Sequence, residues 1–217
     1  SMQRLVIIDY GSGNLHSAAK AFERAARESG AGISVTVSSR AEDVAAADRI
    51  VLPGVGAYAD CKRGLARVPG MIATLEDAVR KKARPFLGIC VGMQLMSERG
   101  REFEVTEGLG WIKGEVRAIE PEDKSLKIPH MGWNTLNKKG ACPLFDGLFD
   151  GTPAVYFVHS YYAVPKEQSL VAATAEYPEA FCAAIWRGNT FATQFHPEKS
   201  QAVGLKILEN FGKLVNG

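Results

Sequence analysis

The first half of the chain alternates between short apolar runs and stretches with helical periodicity. The apolar runs, each stopped by glycine or polar residues, predict buried strands at residues 5–10, 33–38, 49–54 and 85–90. Apolar residues at helical spacing predict helices between them, at residues 15–26, 40–47 and 71–83, with Gly30 at the end of the first. This alternation is typical of a parallel sheet with helices packed on its faces.

The second half of the chain is dominated by strand-like segments. They lie at residues 111–119, 154–164, 169–177, 180–186 and 190–195. Gly188 and Asn189 lie at the centre of a predicted tight hairpin turn between the last two. A final helix places one apolar stripe along its length: Val203, Ile207, Leu208, Phe211, Leu214 and Val215. We therefore expect an α/β fold with additional antiparallel strands in its second half, and a single domain over residues 1–217.

Composition and charge exclude several classes of protein. The chain is 46% hydrophobic and 23% charged, with 26 Lys and Arg against 24 Asp and Glu, which excludes a disordered chain. The net charge of +2 gives no support to a nucleic-acid or membrane partner, and the first residues lack the pattern of an export signal. The four cysteines are widely spaced, so we expect a reducing, cytoplasmic setting.

Cys90 lies where a predicted strand runs through Gly88 into a predicted helix. Flanking glycines at Gly88 and Gly92 permit the sharp turn of a nucleophile elbow, with cysteine in the serine position. The positive end of the helix dipole would favour the reactive thiolate. The alternative is that Cys90 is a small buried hydrophobic residue, as free cysteines often are.

His196 and Glu198 supply a possible base and its orienting acid. Pro197 favours an extended conformation at His196, so that the two side chains project to the same side. Glu198 would then hold the imidazole tautomer and stabilise the imidazolium. Alone, a histidine before proline is often only a loop residue, but together with the elbow it predicts nucleophilic catalysis.

Gly54, Val55 and Gly56 follow a buried strand and are candidate donors for an oxyanion. Their main-chain amides would lie at the carboxyl ends of the parallel strands, although an ordinary turn is the alternative. If Val55 must adopt a disfavoured backbone conformation to donate, this costs about 1 to 3 kcal/mol. We therefore expect the isolated chain to be nearly inactive until this amide is reoriented.

Other motifs give little support to cofactors or metals. The glycine-rich turn at Gly11 and Gly13 has His16 where a dinucleotide-binding motif requires glycine, so no nucleotide cofactor is expected. His16, His130 and His159 form no metal-binding pattern, and no metal is predicted. The remaining cysteines are interpreted as structural: Cys61, Cys142 and Cys182.

The segments GICVGMQ, PGVGAY and HPE together resemble the class I, triad-type glutamine amidotransferases. Further segments, DYGSGNLHS, PHMGWN, YFVHSYY and TQFHPEKSQ, resemble more closely the glutaminase subunits of imidazole glycerol phosphate synthases, which act in histidine biosynthesis. The resemblance runs in order through most of the chain and implies a flavodoxin-like, mostly parallel sheet flanked by helices.

The resemblance also implies roles for individual residues. Cys90 would attack the glutamine carboxamide, His196 would transfer the proton, Glu198 would orient His196, and residues 54–56 would form the oxyanion strand. Positions implied in glutamine binding are Gln94, Glu102, His159, Ser160 and Tyr161. Positions implied at a partner interface are Trp133, Tyr156 and Lys199, although Trp133 and Tyr156 could instead be core residues.

The implied partner is a separate (β/α)₈ cyclase subunit, joined in a heterodimer, that uses ammonia to make imidazole glycerol phosphate and AICAR. At 217 residues the chain is too short to contain that barrel as well, since a barrel needs about 250 residues. Ser12 and Val91 depart from the family pattern, at positions expected to lie outside the chemistry. Alternatives are a sibling synthase for vitamin B6, tryptophan, folate or nucleotides, a stand-alone cysteine hydrolase, or a non-catalytic binding module.

Overall fold

The architecture is described from a computed structural model for residues 2–214. Its strands, in chain order, are β1 Gln3–Ile8, β2 Ile33–Ser38, β3 Arg49–Leu52, β4 Phe86–Ile89, β5 Ser97–Gly100, β6 Thr106–Glu107, β7 Ile112–Ala118, β8 His130–Thr135, β9 Asn137–Lys138, β10 Ala154–His159, β11 Tyr161–Pro165, β12 Val171–Glu176, β13 Ala180–Arg187 and β14 Thr190–Thr193. Its α-helices are α1 Leu15–Ser29, α2 Ala41–Ala45, α3 Tyr58–Arg67, α4 Met71–Leu75, α5 Val91–Gln94 and α6 Gln201–Gly212. A π-helical segment, Glu76–Lys81, continues α4.

An eight-stranded mixed sheet forms the centre of the fold, in the order β2-β1-β3-β4-β14-β13-β12-β9. The first five strands in this order are parallel, and the last three run antiparallel to their neighbours. This arrangement confirms the predicted α/β class with antiparallel strands contributed by the second half. Strand β14 lies directly beside β4, so the segment that follows β14 lies next to the predicted elbow at Cys90.

Two smaller sheets extend the second half of the chain. One has the order β11-β7-β5-β6, and the other pairs β10 with β8. The segment 154–164, predicted as one strand piece, divides at Ser160 into β10 and β11, which belong to different sheets. His159 pairs with His130, whereas Tyr161 pairs with Ala118, so the chain changes partners at Ser160. Period-two alternation predicts a strand but not which neighbour it pairs with.

Local signals set the ends of several elements. The Asn14 side chain accepts a hydrogen bond from the Ser17 amide at the start of α1, and Gly30 ends that helix in a left-handed conformation. The predicted hairpin turn is present, with Arg187 paired to Thr190 and Gly188 at φ 59°. A helical context, without bounds, was expected for Cys61, and it is provided by helix α3. Its first amide, at Tyr58, donates 3.0 Å to the carboxylate of Glu102, a stabilising contact from 44 residues away.

The apolar stripe of α6 packs on the same side of the sheet as α1. Ile207, Leu208 and Phe211 are buried, and the Phe211 ring meets the edge of Phe22 at 6.3 Å between centroids. Val203 and Leu214 are partly buried, while Val215 lies outside the described residues.

No helix within residues 2–214 is long and apolar enough to cross a membrane.

Replacing Phe211 with Ala should lower the free energy of unfolding by about 3 to 5 kcal/mol, because it leaves a cavity between α1, α6 and the sheet. Chemical denaturation of wild type and variant measures this difference. Phe103→Ala is the matched control, since the Phe103 side chain is 95% exposed and its loss should change stability by less than about 0.5 kcal/mol. Equal effects of the two substitutions would contradict this packing.

Candidate active site

Cys90 lies at the sharp turn between β4 and α5. Its backbone has φ 58° and ψ −115°, a conformation that costs a non-glycine residue about 1 to 3 kcal/mol. The Cys90 amide donates 2.8 Å to the Thr193 carbonyl, which ties the turn to the end of β14. The strand-turn-helix geometry of a nucleophile elbow is therefore present at this cysteine.

The glycines beside Cys90 are required for close packing rather than for positive φ. A Cβ on Gly92 would lie 1.9 Å from the Leu52 carbonyl oxygen, and one on Gly88 would lie 2.9 Å from the Gly92 carbonyl oxygen. The strained backbone angle is at Cys90 itself. Helix α5 is only four residues long, so the helix dipole expected to favour the thiolate comes from a single turn of peptides.

His196 and Glu198 follow β14 and form the predicted contact. The His196 Nδ1 atom lies 3.1 Å from Glu198 Oε2, and the two side chains are only 3% and 6% exposed. The His196 amide donates to the Tyr156 carbonyl, and its carbonyl accepts from the Ser200 hydroxyl, so the main chain is held on both sides. Because the Nδ1–H group donates to Glu198, Nε2 is the nitrogen left to exchange a proton with the thiol.

The environment of His196 favours its charged form. Burial alone would lower the pKa of His196, but the Cys90 sulfur and the Glu198 carboxylate outweigh it and raise the pKa to about 10. The buried Nε2 atom has no hydrogen-bond partner among residues 2–214. The Cys90 sulfur is therefore close enough to the His196 ring to raise its pKa, and this proximity suits proton exchange between the two groups.

Two amides that are candidate donors to an oxyanion, those of Val55 and Val91, are already hydrogen-bonded at the Gly54–Val55 peptide. Its carbonyl accepts from the Val91 amide at 3.1 Å, and its own N–H donates to the Ser12 hydroxyl at 2.9 Å. The Ser12 hydroxyl also donates to the Val55 carbonyl at 2.8 Å. Ser12 and Val91, which were expected to lie outside the chemistry, thus both bind the candidate oxyanion peptide. The contact joins residues 43 apart in sequence, which no local pattern indicates.

Cys61 also reaches this peptide. Its sulfur lies 3.2 Å from both the Ser12 hydroxyl and the Val55 carbonyl, and burial raises the pKa of the thiol. Its interpretation as a purely structural residue is incomplete, since it packs on the candidate oxyanion segment. Cys142 and Cys182 are buried free thiols without a comparable contact to the site.

A cavity of about 620 Å³ opens beside Cys90. It is lined by the candidate oxyanion residues Val55 and Gly56 and by all of the implied glutamine-binding residues, namely Gln94, Glu102, His159, Ser160 and Tyr161. Its volume lies within the range of small-molecule binding sites. Hence the structure brings together residues from positions 55 to 161 of the sequence around one thiol.

Buried amides connect the cavity wall to the nucleophile. The Gln94 side-chain NH₂ donates to the Tyr161 carbonyl at 3.1 Å and to the Gln194 side-chain oxygen at 3.0 Å. The Gln194 NH₂ lies 3.7 Å from the Cys90 sulfur. Gln194 was not predicted as a site residue, although it precedes His196 by only two positions within TQFHPE. Its burial with the thiol depends on β14 lying beside β4.

The implied interface residues lie on a neighbouring surface. The Trp133 side chain is 50% exposed and meets the Tyr156 ring edge-on at 6.0 Å, and the two residues are cross-strand partners on β8 and β10. Lys199 is exposed immediately after Glu198. The half-exposed Trp133 is not a core residue, so this surface is open to a partner.

Within residues 2–214, no group of three or more potential ligands is arranged to hold a metal ion.

The sequence profile described as Glutamine amidotransferase class-I matches residues 6–214 of the chain. The chain belongs to this family. The match spans both halves of the central sheet and every residue of the candidate active site.

Full-length relatives from several bacteria carry one name, imidazole glycerol phosphate synthase subunit HisH. The Brucella suis biovar 1 protein is 59% identical over 212 residues, covering 97% of this chain and 98% of the relative. The Agrobacterium fabrum protein is 57% identical, and the Rhodospirillum rubrum protein 53%, each covering 96% of this chain and 97% of the relative.

Solved structures of glutamine amidotransferases share the fold. One glutamine amidotransferase crystal structure aligns with a TM-score of 0.69 at 17% identity, covering 95% of this chain and 98% of that one. A glutamine amidotransferase from Thermotoga maritima aligns with a TM-score of 0.63 at 18% identity, covering 91% of this chain and 77% of that one. At these identities the likeness supports the fold alone.

In this amidotransferase, replacing Glu198 with Gln should lower the pKa of His196, because the amide lacks the charge that favours imidazolium. The wild-type pKa of about 10 lies above the unfolded value of about 6.5. The stability from this charge is therefore fully present below about pH 6.5 and is lost as the pH rises toward 10. Between about pH 7 and pH 10 the wild type should lose more unfolding free energy than Glu198→Gln.

NMR titration of the His196 ring and denaturation at both pH values measure these two effects. Glu176→Gln is the control, since Glu176 is an exposed carboxylate at the end of β12. An unchanged His196 pKa in Glu198→Gln would show that the carboxylate does not control the imidazole.

Proposed function

We propose that this chain is the glutaminase subunit of an imidazole glycerol phosphate synthase. It hydrolyses glutamine to glutamate and ammonia and delivers the ammonia to a (β/α)₈ cyclase subunit, which makes imidazole glycerol phosphate and AICAR in histidine biosynthesis. The observation that carries the glutaminase assignment is the elbow thiol with the buried His196–Glu198 pair, at a cavity of about 620 Å³. The choice of synthase is supported by the full-length relatives.

In the proposed reaction, the Cys90 sulfur attacks the carboxamide carbon of glutamine, and His196 holds the proton taken from the thiol. The tetrahedral intermediate collapses as the C–N bond breaks, and His196 protonates the departing nitrogen to give ammonia. Water, deprotonated by His196, then attacks the thioester carbonyl and releases glutamate and the thiol. Glu198 stays ionised throughout and holds the imidazole by its Nδ1 proton.

The cavity walls supply groups for the two ends of glutamine. Glu102 provides a carboxylate for the substrate ammonium. The same carboxylate accepts a hydrogen bond from the Tyr58 amide at the start of α3. The main chain of residues 159–161 and the Gln94 side chain line the same cavity as Glu102. The proposed substrate-binding residues thus share one cavity with the Cys90 thiol.

The orientation of the Gly54–Val55 peptide supports the proposal that the isolated chain has low activity. A rotation of this one peptide would remove its carbonyl from the Val91 amide and turn its own N–H from Ser12 toward the cavity. Both amides would then be available for the oxyanion in a single step. The proposed oxyanion residues Gly54, Val55 and Gly56 are therefore inactive until the peptide turns.

The cyclase is proposed to dock on the exposed apolar surface near the cavity mouth. Ile128, Met131 and Trp133 are 43%, 61% and 50% exposed, with Tyr156 and Lys199 nearby in the fold. Apolar side chains gathered in this way favour a protein partner.

We further propose a cytoplasmic site of action and a single domain. Four buried free thiols suit a reducing compartment. The two halves of the chain act as one domain, since the eight-stranded sheet draws strands from both.

Replacing Ser12 with Ala should raise the glutaminase activity of the isolated chain by about tenfold, because it removes the hydrogen bonds that hold the Val55 peptide in its resting orientation. The activation ratio on adding the cyclase should fall correspondingly. Glutamate release with and without the cyclase measures both values. Ser125→Ala, which removes a hydroxyl from an exposed loop, is the control. Unchanged basal activity in Ser12→Ala would contradict this role.

The central test is glutamate release by the chain alone and by its mixture with the cyclase and the nucleotide ligand of the cyclase. We expect a large rise on mixing, and loss of this activity in Cys90→Ser. Equal activity with and without the cyclase would indicate an independent hydrolase. No activity in either case would contradict the assignment and favour a sibling synthase or a non-catalytic module.

A further inference from the structure

A continuous chain of hydrogen bonds runs from strand β8 to the cavity wall. The Asn134 NH₂ lies 3.3 Å from His130 Nε2, His130 Nδ1 lies 2.9 Å from His159 Nε2, and His159 Nδ1 lies 2.9 Å from the Tyr161 carbonyl oxygen. We propose that His130 and Asn134 are positioning residues for glutamine binding, which hold the 159–161 wall through this chain. The proposal deepens the proposed glutaminase function and rests on it.

The main chain at both ends fixes the direction of every hydrogen bond. The Tyr161 carbonyl can only accept, so His159 carries its proton on Nδ1 and leaves Nε2 as an acceptor. His130 must then donate from Nδ1, which leaves its own Nε2 to accept from Asn134. The Asn134 amide cannot reverse, because its NH₂ also donates to the Glu176 carbonyl and its oxygen accepts from the Thr135 amide.

The Tyr161 carbonyl also connects this series of hydrogen bonds to Cys90. Besides His159, the Tyr161 oxygen accepts from Gln94, which also donates to Gln194, and Gln194 donates to the Cys90 sulfur. A shift of the His159 ring would therefore move the carbonyl on which Gln94 depends. The expected consequence is a misplaced glutamine pocket rather than the loss of a reacting group.

Both rings are arranged to stay neutral. A proton added to either ring would set two N–H groups against each other, at His130 and His159 or at His130 and Asn134. The His130 ring stacks between Phe157 and Tyr177, with centroids 4.9 and 4.2 Å away. The pKa of each histidine is lowered to about 4, by burial for His130 and by burial together with the nearby His130 and His196 for His159.

The opposite face of β8 forms part of the proposed partner surface, so one strand carries both this surface and the hydrogen-bonded residues. Along the strand, His130 and Asn134 point inward, whereas Met131 and Trp133 point outward and are exposed. Residues that hold the cavity wall thus alternate with residues of the docking surface.

Two substitutions at one position test the proposal in the assembled enzyme. His130→Phe keeps a flat ring but removes the donor to His159, and should raise the KM for glutamine about tenfold with a smaller change in kcat. His130→Asn, whose NH₂ can take the place of Nδ1, should restore most of the wild-type KM. Wild-type KM in His130→Phe would overturn the proposal. Asn134→Leu removes the hydrogen bond to His130 at the other end of the series and should raise the KM likewise. It replaces His130→Phe as the test if that variant does not fold.

NMR of the wild-type chain gives a readout independent of activity. Both rings should carry a proton on Nδ1 and none on Nε2 at about pH 7, and should remain neutral down to about pH 5. A proton on Nε2 of either ring at neutral pH would overturn the proposal. Failure of the wild-type complex to release glutamate would instead contradict the proposed function, and the NMR result would stand separately.

Discussion

The close approach of two main-chain segments, the end of β3 and the turn after β4, is the constraint on which the site depends. Gly92 leaves no room for a side chain against the Leu52 carbonyl, and a Cβ on Gly54 would lie 2.6 Å from the Tyr10 hydroxyl. This contact places the nucleophile and the candidate oxyanion amides in one packed unit. Because no side chain separates them, a rotation of one peptide changes the donors available beside the thiol.

The second requirement is the position of β14. Its parallel pairing with β4 aligns Thr193 with Ile89, so that His196 and Gln194 follow at the level of Cys90. Gln194 is 104 positions from the cysteine in sequence. Strand β14 therefore does more than extend the sheet, since it brings the segment that carries Gln194 and His196 beside Cys90.

Much of this arrangement could be predicted because it is local in sequence. The elbow at Cys90 follows from a strand, a turn and flanking glycines, and the contact between His196 and Glu198 follows from their spacing around Pro197. The contact of Ser12 with Val55, the burial of Gln194 beside Cys90 and the pairing of His130 with His159 are different. Each joins segments that only the tertiary fold brings together, so neither periodicity nor local spacing indicates them.

The distribution of thiols has a practical consequence for chemical labelling. Burial raises the pKa of Cys142 to about 11 and that of Cys182 to about 12, and it also raises the pKa of Cys61. Cys90 alone among the four lines the large cavity. An electrophile small enough to enter would modify one sulfur and leave the other three intact. The native sequence thus provides a single-site attachment point for a spectroscopic probe, without the removal of any cysteine.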